Sequence, residues 1–492
     1  MRKLVICALA LGGFAASAQA ADLGIDSLKD PLPDTLTYHG VTIYGQIDVG
    51  YAYAEHSTAV SGSMYVGVPL TMWGQKPGNG SISSLTENGL SQSKVGLKVE
   101  ENIGMGFTAI GKIESDFNPL SGEIADACAS LYRNAGKTLL NQDTNGDGSR
   151  CGQAFGDQAW AGVSSSTFGT LTFGRQYSLE NEAVGKYDPM GQSYALSNLG
   201  YTATNTAGAG ATELSRWDNS VKYVYQYGPL HAAGMYSNGG EDTAIFGEAA
   251  AANAGITWRG LSVDGVYQKE NGAAALSNSA NYTSAGVVKG TVTDNEEWSA
   301  MAKYTFDVPA LFGAYGGYKD SCGLKDECPG AKLSFMGGYA HVELTNDGTV
   351  IAGSSTIGGY IPASWNSSPY AAGSSRVLES EWGGAKYESG PWALAAAYYH
   401  TSQDAYVDGT HGNCAAYTTY DKGAGNGGTP ANYQGASCSG NFNQVSFLVD
   451  YTFTKHFDIY AGASWSDIHG GLASGYLQNE NAGVITGMRL KF

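Results

Sequence analysis

After residue 20 the chain has no run approaching the ~18 consecutive apolar residues that a membrane-crossing helix requires, so helical membrane spans are excluded. Charge is scarce at 15% and unbalanced, with 27 Lys and Arg against 45 Asp and Glu. The resulting −18, or −20 once Arg2 and Lys3 are removed with a leader, argues against nucleic-acid partners. Prolines number only 13, and no Pro/Ser linker or composition shift divides the 492 residues into domains. Enzyme signatures are missing as well: there is no GxSxG and no HExxH, the eight His are scattered, and no CxxC supplies zinc ligands. Gly136, Lys137 and Thr138 end like a phosphate-binding loop, but Leu131 occupies the position of its first Gly. The GxGxxG match at 423–428 lacks a strand-to-helix setting and reads as a Gly-rich loop. No cofactor is expected on these grounds.

What is present starts with a leader. Arg2 and Lys3 precede an apolar run to Ala18, and Ala18, Gln19 and Ala20 offer a cleavage site, so residues 1–20 are expected to be a signal peptide and 21–492 one mature unit. That unit is rich in Gly, 70 residues at about twice the ~7% average, and in Tyr, 32 residues.

Read with period two, it yields segments of about ten residues with one apolar and one polar face. Val41, Ile43, Ile47 and Val49 oppose Thr42, Tyr44, Gln46 and Asp48. Val95, Leu97 and Val99 oppose Lys94 and Lys98, and Phe107, Ala109, Ile113 and Phe117 oppose Lys112, Glu114 and Asp116. Charges behind a greasy face fit a water-filled barrel better than a soluble sandwich.

The pattern predicts sixteen strands, near 41–51, 92–101, 105–117, 157–164, 169–176, 216–227, 230–238, 250–258, 261–269, 296–306, 331–344, 378–388, 391–402, 442–453, 456–467 and 482–492. Gaps alternate long and short, as extracellular loops and periplasmic turns do. The stretch 307–330 breaks that alternation, through added strand structure at 310–319 or a periplasmic insertion closed by cysteines. In lipid no sheet edge can stay unpaired, so the last strand is expected to close on the first.

Cys7 leaves with the leader, and six cysteines remain. Of fifteen possible pairings, the local ones are expected: Cys128 with Cys151, Cys322 with Cys328, and Cys414 with Cys438, each inside one connection. Within the first, Asp143, Asn145, Asp147 and Gly148 reproduce the start of an EF-type calcium loop, but its twelfth position is Ala154 rather than Glu. Two readings stand, a weak loop-bound calcium or a plain Asx/Gly turn.

The stretches GVTIYGQIDVG from 40, SKVGLKVEENIG from 93, FGTLTFGRQY from 168, RWDNSVKY from 216 and the terminal GMRLKF resemble the Gram-negative general porins, especially the trimeric sixteen-stranded type of beta-proteobacteria. The resemblance covers the mature chain, strongest in the strands. It implies an all-β transmembrane antiparallel barrel in the outer membrane, long extracellular loops, a third loop folded into the lumen, a homotrimer surrounded by outer-membrane lipid, and passive diffusion of small hydrophilic solutes and ions. It also implies that terminal Phe492 is read by the outer-membrane assembly machinery.

By the same resemblance the connection from Tyr177 to Ser215 folds inward, with Glu180, Glu182 and Asp188 facing a basic side made of Lys94, Arg175 and Arg216. Alternation independently puts Lys94 inside, and Arg216, Asp218, Ser220 and Lys222 together opposite Trp217, Val221 and Tyr223. It puts Arg175 with Leu171 and Phe173, so an inward Arg175 needs a bulge near Gly174. Gln46, Asp48, Lys112, Glu114, Asp116, Asp218 and Lys222 are expected to line the pore. A solute-specific channel would instead show an aromatic track or a tight basic ladder, a surface adhesin or structural barrel would conduct nothing, and an outer-membrane hydrolase would need a nucleophile motif that is missing.

Overall fold

The computed structural model describes residues 36–57, 80–124, 152–199, 215–239, 248–277, 287–309, 330–346, 361–362, 375–406, 439–470 and 480–492. The cysteines of the three expected bridges, residues 143–148, the leader and residues 310–319 lie outside that set.

Sixteen antiparallel strands form a closed barrel. They are β1 (Val41–Ser57), β2 (Lys94–Gly104), β3 (Phe107–Asp116), β4 (Gln158–Ser165), β5 (Gly169–Tyr177), β6 (Arg216–Tyr227), β7 (Leu230–Asn238) and β8 (Glu248–Trp258), then β9 (Leu261–Ser277), β10 (Val287–Val308), β11 (Ala331–Asn346), β12 (Arg376–Ser389), β13 (Trp392–Gln403), β14 (Gly440–Thr454), β15 (Phe457–Gly470) and β16 (Glu480–Lys491). Every expected strand is found, many of them longer. Three short strands join the sheet: Leu36–Tyr38 and Gly80–Glu87 on β1, and Ile361–Pro362 beside the start of β10. Gly80–Glu87 falls within a connection that alternation left as loop; it forms because β1 rises beyond the start of β2 and leaves backbone to be paired.

Closure is local chemistry at the C-terminus. β16 pairs with β1 from Gly483 opposite Ala54 to Lys491 opposite Gln46, and Gly45 and Phe492 exchange backbone hydrogen bonds of 2.9 and 3.0 Å. The Phe492 ring lies where a Cβ on Gly45 would fall, 2.5 Å from its Cζ, so Gly45 is a seat for the terminal ring. At one end, turns are two residues long with both in the left-handed region: His39–Gly40, Met105–Gly106 and Arg259–Gly260. That is the twist-matched hairpin turn, with Gly at the second position.

Outward rows carry the large exposed apolar side chains, such as Val41, Ile43, Val95, Val99 and Phe173. Aromatic groups gather toward the short-turn rim, Tyr304 with Phe306 and Phe335, and Trp392 with Tyr451 and Phe453. This is the girdle of a barrel whose solvent on that side is lipid. Inward rows carry the polar side chains.

Candidate pore constriction

The third connection enters the lumen as a short helix, α1 (Leu179–Tyr187). Ser178 caps it, its Oγ accepting from Asn181 N at 3.2 Å, with Glu180 and Glu182 in the first turn near the positive end of the helix dipole. The segment then follows the inner wall. Glu182 pairs with Lys222 of β6 at 2.7 Å, Tyr187 OH donates to Asp264 of β9, and Trp382 Nε1 of β12 donates to Tyr187 O at 3.1 Å. Tyr399 of β13 donates to Asp188 at 2.5 Å, Gln444 Nε2 of β14 donates to Leu196 O at 2.9 Å, and Ser193 Oγ donates to Gly89 O at 2.9 Å. Glycines make the wall flat enough for this. A Cβ on Gly384 would come 2.7 Å from Pro189 Cγ, and one on Gly462 would collide with Leu196.

Burial governs the acids of this segment. Glu180 is fully buried, which raises its carboxyl to about 7 against a hydrogen bond from Ser299. Burial also raises the Asp188 carboxyl, opposed by hydrogen bonds from Ser197, Tyr399 and the N–H groups of Gln192 and Met190. Asp188 thus ties the end of α1 to the wall.

A second cluster sits on the inner wall between β1 and β6. Lys94 Nζ is 3.1 Å from Glu114 and 3.5 Å from Asp157, and Lys112 Nζ is 3.3 Å from Glu114. Arg216 binds Asp157 through Nε at 2.7 Å and Nη2 at 2.5 Å, with Asp116 at 3.8 Å. Tyr44 OH donates to Glu114 at 2.7 Å, Tyr177 OH donates to both oxygens of Asp157 at 2.7 Å, and the Arg216 guanidinium stacks 5.0 Å from the Tyr177 ring. Three cations and three carboxylates are interleaved.

Several expectations change here. Of the expected basic side, Lys94 and Arg216 do come together, joined by Lys112 rather than Arg175, but with Glu114, Asp116 and Asp157, not with the acids of the third loop. Glu180, Glu182 and Asp188 hold that loop to the wall instead. Arg175 does not turn inward: it stands opposite Ala159, in the outward row Ile43, Leu97, Ile113 and Ala159. There Nε donates to Gly156 O at 2.9 Å and Nη1 to Asp218 at 2.7 Å. A bulge exists, but on β6: Gly174 faces Ser220 and Gln176 faces Trp217, leaving Arg175 opposite both Asp218 and Asn219. Asn219 takes φ +49°, which Asn tolerates. The extra residue swaps parity, so Trp217 is buried inside at 2% exposure while Asp218, expected in the lumen, pairs with Arg175 and is 65% exposed.

Asp48 points inward but lines nothing. It is fully buried, accepting from Tyr460 OH at 2.6 Å and from the N–H groups of Leu90 and Ser91 at 2.9 Å each. Glu114 and Asp116 are covered by their cation partners. Gln46, Lys112 and Lys222 keep inward positions, Gln46 donating to Gln92 O at 2.6 Å. Asp157, missed as a site residue although it opens the strand expected at 157–164, is the hub of the wall cluster; the strand itself begins one residue later, so strict parity with Ala159 does not hold it to the outward row. Among the described residues no group of three or more His, Cys, Asp or Glu is arranged to hold a metal ion.

Comparison with known proteins follows the geometry. The sequence profile of the Gram-negative porins matches residues 7–470. An outer membrane porin protein of Bordetella pertussis is 28% identical over 223 residues, 45% of this chain, and the match spans 44% of that relative's length. The anion-selective porin from Comamonas acidovorans superposes with a TM-score of 0.54 at 15% identity, covering 92% of this chain and 99% of that one. In-vitro folded OmpT, an outer membrane protein of Vibrio cholerae, gives 0.52 at 13%, covering 94% and 100%. These two share the fold. With the profile spanning nearly the whole sequence, the chain belongs to the Gram-negative porin family.

Proposed function

We propose that this barrel is a water-filled outer-membrane channel through which small hydrophilic solutes and ions diffuse passively, with no catalytic step. The observation that carries the reading is the infolded segment 178–199, bonded along the inner wall from β6 to β14 and to Gly89, opposite a wall of charged side chains on β2 and β3. On that side Lys94, Lys98, Lys112 and Tyr44 would meet a passing solute, with Lys98 and Lys112 5.1 and 5.7 Å from the Tyr44 ring. Their charges, only partly offset by Glu114 and Asp157, would focus the local field.

The family supports a homotrimer, surrounded by outer-membrane lipid and inserted by the outer-membrane assembly machinery, with Phe492 as the recognised end. Purified protein in planar bilayers should give ohmic steps, in threes for a trimer; saturable flux for a single solute would favour a specific channel, and zero conductance would favour an adhesin or structural barrel. Deleting Phe492 should lower the amount of assembled barrel, read by heat-modifiable mobility.

A further inference from the structure

Between α1 and the wall, three side-chain oxygens are buried with no hydrogen-bond partner among the described residues. Glu180 accepts from Ser299 Oγ at 2.6 Å through Oε2, while its Oε1 has no hydrogen-bond partner. Glu297 of β10 stands opposite Gln268 of β9, whose Nε2 donates to Glu297 Oε2 at 3.0 Å. Glu297 Oε1 and Gln268 Oε1 have no partner, although both residues are only 1% exposed. The charges acting on the two carboxyls are each other and Asp264; no lysine or arginine is among them.

Buried carboxylates without a counter-charge are costly. The wall cluster meets that cost with Lys94, Lys112 and Arg216. Glu180 Oε1 and Glu297 Oε1 each lack a hydrogen-bond partner among the described residues, so these two oxygens do not bond one another. Buried oxygens that do not bond one another, two from carboxylates and one from an amide, are the donor set of a hard cation.

We propose that Glu180 Oε1, Glu297 Oε1 and Gln268 Oε1 bind a divalent cation of the calcium or magnesium class, with water completing its coordination, and that this ion fastens the infolded helix to the barrel wall. The site stands independently of the channel reading; only its effect on current depends on it. The three ligands come from the infolded helix and from two adjacent strands of the wall, so the ion would bridge parts of the chain more than 80 residues apart in sequence.

The test uses the full folded protein in detergent, stripped with chelator and carrying Asp143→Asn and Asp147→Asn to silence the separate 143–148 loop. Titration calorimetry with calcium chloride and then magnesium chloride distinguishes the two ions. One saturable site per chain is expected, weakened at least tenfold by Glu180→Gln and abolished by Glu297→Gln, with heat-modifiable mobility confirming folded barrels. Gln268→Met, which keeps shape and removes the amide oxygen, should weaken it too. Binding unchanged in Glu180→Gln and Glu297→Gln, or no binding by the folded parent at millimolar ion, would overturn the proposal and leave both carboxyls held as neutral acids. In bilayers, chelator should raise current noise reversibly; a barrel that binds the ion yet never conducts would sink the channel reading and spare the site.

Discussion

Two acid clusters in the lumen differ in how they are neutralised. On the wall of β2 to β4, Glu114, Asp116 and Asp157 are matched by Lys94, Lys112 and Arg216, all within 3.8 Å of a carboxylate. Beneath α1, Glu180 and Glu297 have a serine and an amide but, among the described residues, no basic partner. The first cluster is complete within the protein and fixes the shape of the wall. The second needs a proton or an added ion, which makes the seat of the infolded segment sensitive to its surroundings while the opposite wall is not.

The comparison breaks most severely at Asp157. Asp157→Ala would leave Arg216 buried with Asp116 at 3.8 Å as its remaining carboxylate of the cluster, and Tyr177 without an acceptor. Removing one partner of a buried ion pair costs on the order of 3 to 5 kcal/mol, so the temperature at which the barrel unfolds in detergent should fall markedly. The matching change on the other side, Tyr399→Phe, removes the 2.5 Å bond to Asp188. A hydrogen bond to a charged group is worth roughly 1.5 to 3 kcal/mol, so the barrel should stay intact while the docked segment loosens, seen as larger current fluctuations.

Selectivity sharpens the contrast. Lys94→Gln with Lys112→Gln leaves Glu114 and Asp157 in excess and should move the reversal potential in a salt gradient toward cation selectivity. Arg175→Ala should leave that potential unchanged, because its side chain belongs to the outward row. Its pair with Asp218, 65% exposed on the acid's side, is worth only about 0.2 to 1 kcal/mol by the measure of exposed ion pairs.

The seat of α1 should also respond to pH when divalent ions are removed. Glu180 has its carboxyl raised to about 7 in the folded protein, from an ordinary value of 4.5. The docked state therefore holds more protons than the undocked one between those values, and docking weakens as pH rises from about 4.5 to 7 before levelling off. Current noise measured in chelator across that range should rise with pH, and Glu180→Gln should flatten the curve. A curve just as steep in Glu180→Gln would assign the effect to another group.

Most of the barrel was legible from alternation because lipid and water divide a strand's residues strictly by parity. The outward row Val41 and Ile43 and the inward Lys94 and Lys112 needed no tertiary information. Parity failed at Asp218 because one extra residue there inverts every face before it, and nothing in RWDNSVKY announces a bulge. It also could not separate inward from solvent-lining: Asp48 and Glu114 point inward yet are covered by Tyr460 and by Lys94 with Tyr44.

The sequence by itself determined the sixteen strands, their order, the alternation of short turns with long loops, and closure of the last strand on the first, since each follows from local pattern and from the need to pair every backbone group in lipid. Only the tertiary structure decided what the acids do. Glu180 meets Ser299 across 119 positions, and Lys94 meets Asp157 across 63, because barrel closure and the infolded third loop bring them together. A side chain's neighbours in a barrel lie across strands and across the lumen, and local pattern carries no record of either.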